Sequence, residues 1–147
     1  MSRYLLDVNL LLALLWPRHE GHVAARSWFA KTGLRSWATN TLTQLGALRL
    51  LTNPAITQGA VGFAAALDAV SGMVRHEGHE FWPLNTGSVG ASLAPIVRGL
   101  TGHRQWTDAV LLCQAKERGG VLATFDAGVK VLAGRDLADH VLLLKRQ

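Results

Sequence analysis

The sequence is poor in the residues that organise several large classes of protein. Its 147 residues include one cysteine, Cys113, so no intrachain disulfide framework can form. Cys113 lies in AVLLCQA (109–115), an apolar helical stretch where a thiol reads as an inert core side chain in a reducing compartment. No apolar run reaches the roughly 18 uncharged residues that a membrane span needs. The apolar N-terminus is interrupted by Asp7 and Asn9 and leads into Trp16-Pro17-Arg18 rather than a small-residue cleavage site. A soluble, cytoplasmic chain with no membrane partner is expected. The G-x-S-x-G, P-loop and G-x-G-x-x-G patterns are also missing, which removes the usual supports for nucleophilic serine chemistry and for NTP or dinucleotide binding.

Acidic residues are scarce too. Ten Asp and Glu face 15 Lys and Arg, for a net charge of +5, and the pI is about 10.1. A basic surface favours polyanions such as nucleic acid, or an acidic protein partner. Hydrophobic residues make up 49% and charged residues 17%, a globular balance without a disordered tract. There is no linker, low-complexity run or internal repeat, so residues 1–147 read as a single domain with one core.

Tyr4–Leu6, Val121–Thr124 and Val141–Leu144 are short apolar runs with the character of buried strands, and Arg35–Thr39 and His79–Trp82 are weaker candidates. Helical spacing separates them. In 57–76, Phe63, Leu67, Val70 and Val74 share one face, and in 105–118 so do Ala109, Leu112 and Cys113. Val23–Lys31 and Leu42–Leu51 are two further helices, the second stopped by Asn53-Pro54, and a short one lies near 88–97. All-apolar strands alternating with helices predict an α/β fold, a three-layer α/β/α sandwich around a central parallel sheet.

In such a sheet, sites form beyond the carboxyl ends of the strands. Asp7 follows the first strand, Asp126 follows Val121–Thr124, and Asp108 opens the helix that leads into that strand. Each has an ordinary alternative: Asp7 as a helix cap, Asp108 as a first-turn carboxylate on the helix dipole, Asp126 as a turn or cap residue. Together they would repel one another unless a cation lay between them. The fitting cation is hard and oxygen-loving, Mg²⁺ or Mn²⁺, of the kind that assists attack on phosphorus.

Four blocks, YLLDVNLLLAL (4–14), TLTQLGALRLLTNP (41–54), HRQWTDAVLL (103–112) and VLATFD (121–126), resemble the successive motifs of the PIN-domain family, and specifically the VapC-type ribonuclease toxins of type II toxin–antitoxin pairs. The resemblance keeps the motif order over nearly the whole chain. It implies an Mg²⁺- or Mn²⁺-dependent endoribonuclease acting on RNA, a homodimer, and silencing by a cognate antitoxin protein. Carried over by position, Asp7, Asp108 and Asp126 would be the catalytic metal ligands. Asn9 would support Asp7 through hydrogen bonds, and Thr124 would orient Asp126 or a bound water.

One position departs from the pattern. The family has Glu in its T-x-E-L-G block, and this chain has Gln44. On a helix Gln44 shares a face with Ala47, Leu48 and Leu51, so it points inward to where an acid could serve the site. Its amide would ligate a cation weakly, which predicts weak metal binding or slow cleavage. A capping box from Thr41 to Gln44 is the structural alternative. Two other functions remain open at this point. One is a catalytically inactive PIN-like module that holds RNA or the antitoxin, which Gln44 favours. The other is a phosphatase of the haloacid dehalogenase type, disfavoured because Asn9 stands where Asp-x-Asp would need an acid.

His19/His22 and His76/His79 have a spacing that zinc sites use, without further ligands nearby. Trp16, Trp28, Trp37 and Trp82 read as packing residues, and Trp106, two residues before Asp108, as packing or as a platform for a base. Arg98, Arg104, Lys116, Arg118 and Lys130 are candidates for phosphate contacts, with solvated surface charge the default for each.

Overall fold

The structure, a computed structural model, describes residues 2–84 and 87–146. Five strands form one sheet: β1 (Tyr4–Leu6), β2 (Trp37–Thr39), β3 (His79–Phe81), β4 (Val121–Thr124) and β5 (Val141–Leu143), in the order β3-β2-β1-β4-β5. Every neighbouring pair is parallel. Leu5 registers with Ala38 and Leu122, and Thr124 with Leu143. Between the strands run α1 (Val8–Leu15), α2 (His22–Lys31), α3 (Thr41–Leu51), α4 (Pro54–Thr57), α5 (Phe63–Met73), α6 (Val89–Leu93), α7 (Gln105–Glu117) and α8 (Ala127–Ala133). Among the described residues no helix is long and apolar enough to cross a membrane.

Alternation along the strands divides the core in two. Leu6, Trp37 and Ala123 point into a cluster with Leu10 and Leu11 of α1, Phe29 of α2, Ala47 and Leu51 of α3 and Val70 of α5. Leu5, Ala38 and Leu122 point the other way, onto Leu93 of α6, Ala109, Leu111, Leu112 and Ala115 of α7 and Val129 and Leu132 of α8. A parallel sheet of this kind must be covered on both faces, so its central strands are apolar up to the threonines, Thr39 and Thr124, at the carboxyl ends of β2 and β4. The α/β/α layering expected from the sequence is what forms.

Several local expectations change. The stretch 57–76 is not one helix. Gln58 (φ 54°) and Gly59 (φ 75°) adopt left-handed backbone, which ends α4, and α5 starts afresh at Phe63. Its buried face is only partly the expected one. Val70 is buried and Val74 half-buried, but Phe63 is 84% exposed and Leu67 56%, and the small Ala66 is buried in their stead. Arg35 belongs to a 3₁₀ turn, so β2 begins at Trp37. Helix α8 was not anticipated, although Val129, Leu132 and Ala133 carry an i, i+3, i+4 apolar stripe that is buried. Trp37 and Trp82 are buried and Trp16 and Trp28 half-buried, as packing residues should be. Arg3 and Arg118 each lie 5.5 Å from the Trp82 ring and 3.6 Å from a Glu80 carboxylate oxygen. Arg118 is therefore engaged near the amino end of β4, away from the carboxyl edge of the sheet.

The junction of α1 and α3 depends on Gly46. A Cβ there would stand 2.5 Å from Val8 Cγ2 and 2.9 Å from Cγ1, closer than van der Waals contact permits. Val8 is the first residue of α1 and directly follows Asp7, so the clash would be transmitted to the carboxyl end of β1. Gly46→Ala is expected to destabilise the fold by about 1–3 kcal/mol through overpacking, measured by denaturant unfolding. An unchanged midpoint would mean that α1 and α3 have slack between them.

Candidate functional site

Two strand ends, of β1 and β4, and the start of α7 define the carboxyl edge around β1. Asp7 follows β1 with extended backbone and caps α1, its Oδ1 accepting from the Val8 N–H at 2.8 Å. It is 5% exposed. The Thr124 hydroxyl, at the end of β4, donates to Asp7 Oδ2 at 2.7 Å, and the Asp7 N–H bonds the Ala123 carbonyl at 3.0 Å. The same Thr124 oxygen accepts the Asp126 N–H at 3.0 Å. One hydroxyl thus links the two carboxylate-bearing turns. Asp126 caps α8, with Oδ1 accepting from the Gly128 N–H at 2.8 Å, so its ordinary role as a cap is real. Asp108 sits in the first turn of α7, on the sheet face that Leu5 and Leu122 also serve.

The electrostatics bring the three together. Burial holds the Asp7 carboxyl above its ordinary range, against the opposing hydrogen bonds from Thr124 and Val8, and the charge of Asp126 adds to the rise. Asp108 is pushed up to about 7, first by burial and then by the negative charges of Asp7 and Asp126. Among the described residues no ion pair reaches Asp7 or Asp108. The two Asp7 oxygens each give one lone-pair direction to a protein donor and keep another. Hard oxygen donors carrying unrelieved negative charge fit a hard divalent cation.

The arrangement is open. Among the described residues no three His, Cys, Asp or Glu side chains are gathered closely enough to grip an ion by themselves. A closed cage of that kind is what structural zinc needs, whereas Mg²⁺ keeps several waters and takes few protein ligands. Three of the four paired histidines are engaged by the fold. His19 Nδ1 accepts the Gly21 N–H at 2.9 Å, His22 Nδ1 lies 2.6 Å from the Ala13 carbonyl, and His79 Nε2 lies 2.7 Å from Thr39 Oγ1.

The supporting residues differ in detail from expectation. Asn9 does not bond Asp7; its Oδ1 accepts the Phe125 N–H at 3.3 Å and ties α1 to the turn before Asp126. The capping box of α3 is Asn40 with Thr43, not Thr41 with Gln44: Asn40 Oδ1 accepts the Thr43 N–H at 2.9 Å, and Thr43 Oγ1 accepts the Asn40 N–H at 3.0 Å. Gln44 instead donates from Nε2 to Thr39 Oγ1 at 2.9 Å. Gln114 was missed. It is buried, its Oε1 accepts from Asn40 Nδ2 at 2.7 Å, and its Nε2 donates to the Trp82 and Pro83 carbonyls at 3.2 and 3.1 Å. These bonds fix α7, and with it Asp108, to the start of α3 and the end of β3. The available signal was a glutamine on the apolar stripe of α7 with Leu111 and Ala115. Trp106 is 49% exposed beside Asp108. Cys113 is half-buried, donates to the Ser92 carbonyl at 3.4 Å and has its thiol pKa raised by burial, in keeping with an inert residue.

The parallel α/β/α sandwich is an arrangement shared with known proteins. The PIN domain family matches residues 4–135, and the chain belongs to that family, among its VapC members. Ribonuclease VapC39 of Mycobacterium tuberculosis is 37% identical over 139 residues, covering 92% of this chain and 96% of the relative. Ribonuclease VapC38 of the same organism is 42% identical over 129 residues, covering 88% and 89%. The crystal structure of M. tuberculosis VapC20, a sarcin–ricin loop cleaving toxin, matches with a TM-score of 0.69 at 15% identity, covering 89% of this chain and 95% of that one. It shares the fold.

The raised carboxyls make stability depend on pH. Between the ordinary value of 3.8 and about 7, the folded chain holds a proton on Asp108 that the unfolded chain has lost. Stability conferred by that proton is present at low pH and falls as pH rises through this window. In metal-free buffer the melting temperature should drop from about pH 5 to about pH 8, and Asp108→Asn should flatten the drop. A melting temperature equally pH-dependent in the variant would place the titration elsewhere.

Proposed function

We propose that this chain is a metal-dependent endoribonuclease, the toxin of a toxin–antitoxin pair, whose acidic centre is Asp7, Asp108 and Asp126. The observation that carries the reading is the Thr124 hydroxyl joining buried Asp7 to the turn that bears Asp126 at the carboxyl edge of the sheet, with Asp108 near enough for their charges to raise it, in a chain whose relatives are named ribonucleases. Asp7 and Asp108 would hold Mg²⁺ or Mn²⁺, and Asp126 would complete the cluster or position water. The bound ion supplies an electrophile that activates water and offsets the charge building on phosphorus. Thr124 fixes the direction of Asp7 and the turn bearing Asp126. Gln114 and Asn40 hold α7 so that Asp108 faces them. The basic surface gathers the RNA backbone, and cleavage would leave a 3′-hydroxyl and a 5′-phosphate. A cognate antitoxin, a homodimeric state and a cytoplasmic setting belong to the same reading.

The test is cleavage of a mixed RNA pool with Mg²⁺ or Mn²⁺ by the chain and by Asp7→Ala and Asp108→Ala. Both variants should lose cleavage while keeping RNA binding in EDTA, scored by filter retention. Undiminished cleavage by both would sink the assignment. Binding without cleavage in any metal, by the unaltered chain, would favour the module that only holds RNA or its antitoxin.

A binding measurement gives an independent check. At about 100 times the dissociation constant, a ligand specific to the folded state adds about 2.7 kcal/mol of stability. Mg²⁺ or Mn²⁺ near neutral pH should therefore raise the melting temperature of the unaltered chain and leave that of Asp7→Ala little changed. Equal rises in both would show that the ion binds elsewhere.

A further inference from the structure

Gln44 occupies the position where the resemblance expects an acid, yet its surroundings are those of a hydrogen-bond donor. Its side chain lies among Leu11, Leu15, Val70 and Val74, in the layer formed by α1, α3 and α5. Asp108 belongs to α7, on the opposite face of the sheet. Gln44 Nε2 donates to Thr39 Oγ1 at 2.9 Å, and that oxygen lies 2.7 Å from His79 Nε2.

The direction of each bond follows from proton counting. A neutral imidazole has one N–H. The Val74 backbone favours the protonated ring, the influence of a carbonyl, and in the tautomer with the hydrogen on Nδ1 the free Nε2 accepts from the Thr39 hydroxyl. Thr39 Oγ1, having given its own proton, then accepts from Gln44. In that tautomer the chain runs one way, Gln44 N–H to Thr39 and Thr39 O–H to His79, and joins α3, β2 and β3.

A carboxylate at position 44 could not start this chain, because it has no hydrogen to give. It would take the Thr39 proton, and His79 could then reach Thr39 only as a donor, with both ring nitrogens protonated. The groups around His79 are Glu80 on its own strand, Trp37 and Thr39 on β2 (the Trp37 ring 4.6 Å away), Gln44 on α3, and Val74 and His76 after α5. Burial holds the imidazole below its ordinary pKa, with Val74 and Glu80 acting in the opposite direction.

We propose that Gln44 is a positioning residue that starts a one-way hydrogen-bond chain through Thr39 to Nε2 of His79, and that Asp7, Asp108 and Asp126 form the acidic centre without a fourth ligand from position 44. The second half rests on the function proposed above; the first does not. The test is a ¹⁵N titration of the His79 ring together with Mn²⁺ affinity by calorimetry, on the unaltered chain, Gln44→Glu and Gln44→Leu. In the unaltered chain Nε2 should show the shift of an unprotonated nitrogen near neutral pH. Gln44→Glu should raise the His79 midpoint by about one pH unit or more, the size expected from a facing carboxylate, with Mn²⁺ affinity within about threefold of the original. Gln44→Leu fills similar space and should also keep Mn²⁺ affinity, so the proposal stays testable if the charged variant does not fold. A tenfold gain in Mn²⁺ affinity in Gln44→Glu with an unmoved His79 midpoint, or a tenfold loss in Gln44→Leu, would overturn it. If no variant cleaves RNA, the proposed function fails while the His79 titration still decides the hydrogen-bond chain.

Discussion

The contact on which the site depends is the hydrogen bond from Thr124 to the buried carboxylate of Asp7. It is a link between adjacent central strands, made where their backbone ladder ends. An isolated carboxylate in such a place would cost several kcal/mol, and two protein donors, the Thr124 hydroxyl and the Val8 N–H, recover part of that. They do not recover all of it, since the carboxyl remains harder to ionise than in water. The shortfall is what gives the edge its chemistry. A fully satisfied Asp7, for example one paired with an arginine, would be a stable cap with little reason to hold a cation.

The surrounding fold sets this incomplete satisfaction reproducibly. Strand β1 is central, with β2 and β4 on either side, so its end cannot drift. Gly46 lets α3 close on Val8, and Asn40 and Gln114 brace α7 against α3. The first two constraints hold the element that bears Asp7 and the third holds the helix that bears Asp108, and among the described residues none of these carboxyls has an ion-pair partner. The fold is least stable, in the absence of metal, in the pH range where the carboxylates are most ionised. This is the stability cost expected of a preorganised charged site.

Much of this was legible in the sequence, because the informative signals were local. β1 and β4 are largely apolar runs, as strands covered on both faces require, the edge strand β5 is an apolar run that is half-buried, and Asp7 and Asp126 follow β1 and β4. Asp108 could be placed because α7 has a clear periodicity. The misreadings involve competition between neighbouring residues. On α5 the large Phe63 and Leu67 outweighed Ala66, although close helix packing prefers the small residue. At the start of α3, Asn40 and Thr43 formed the capping box ahead of Thr41 and Gln44, because Asn40 is where the extended backbone of β2 ends. Gln114 and the direction of Gln44 depend on partners tens of residues away, Asn40 and Trp82 for the one and Thr39 with His79 for the other, and no local pattern specifies those.

The two faces of the sheet also divide the polar work. On the α7 face, Asp7 and Asp108 are carboxyls held above their ordinary range, with no ion pair to either among the described residues. On the α1–α5 face, Gln44, Thr39 and His79 form a chain of hydrogen bonds without a carboxylate. Apolar strand residues lie between them, Leu6 and Trp37 on one side and Leu5 and Ala38 on the other. A charge added to the α1–α5 face would have to be neutralised there, by His79, before it could contribute across the sheet. The exchange of acid for amide at position 44 therefore bears first on how α3, β2 and β3 are joined, and only indirectly on the carboxylates around Asp7.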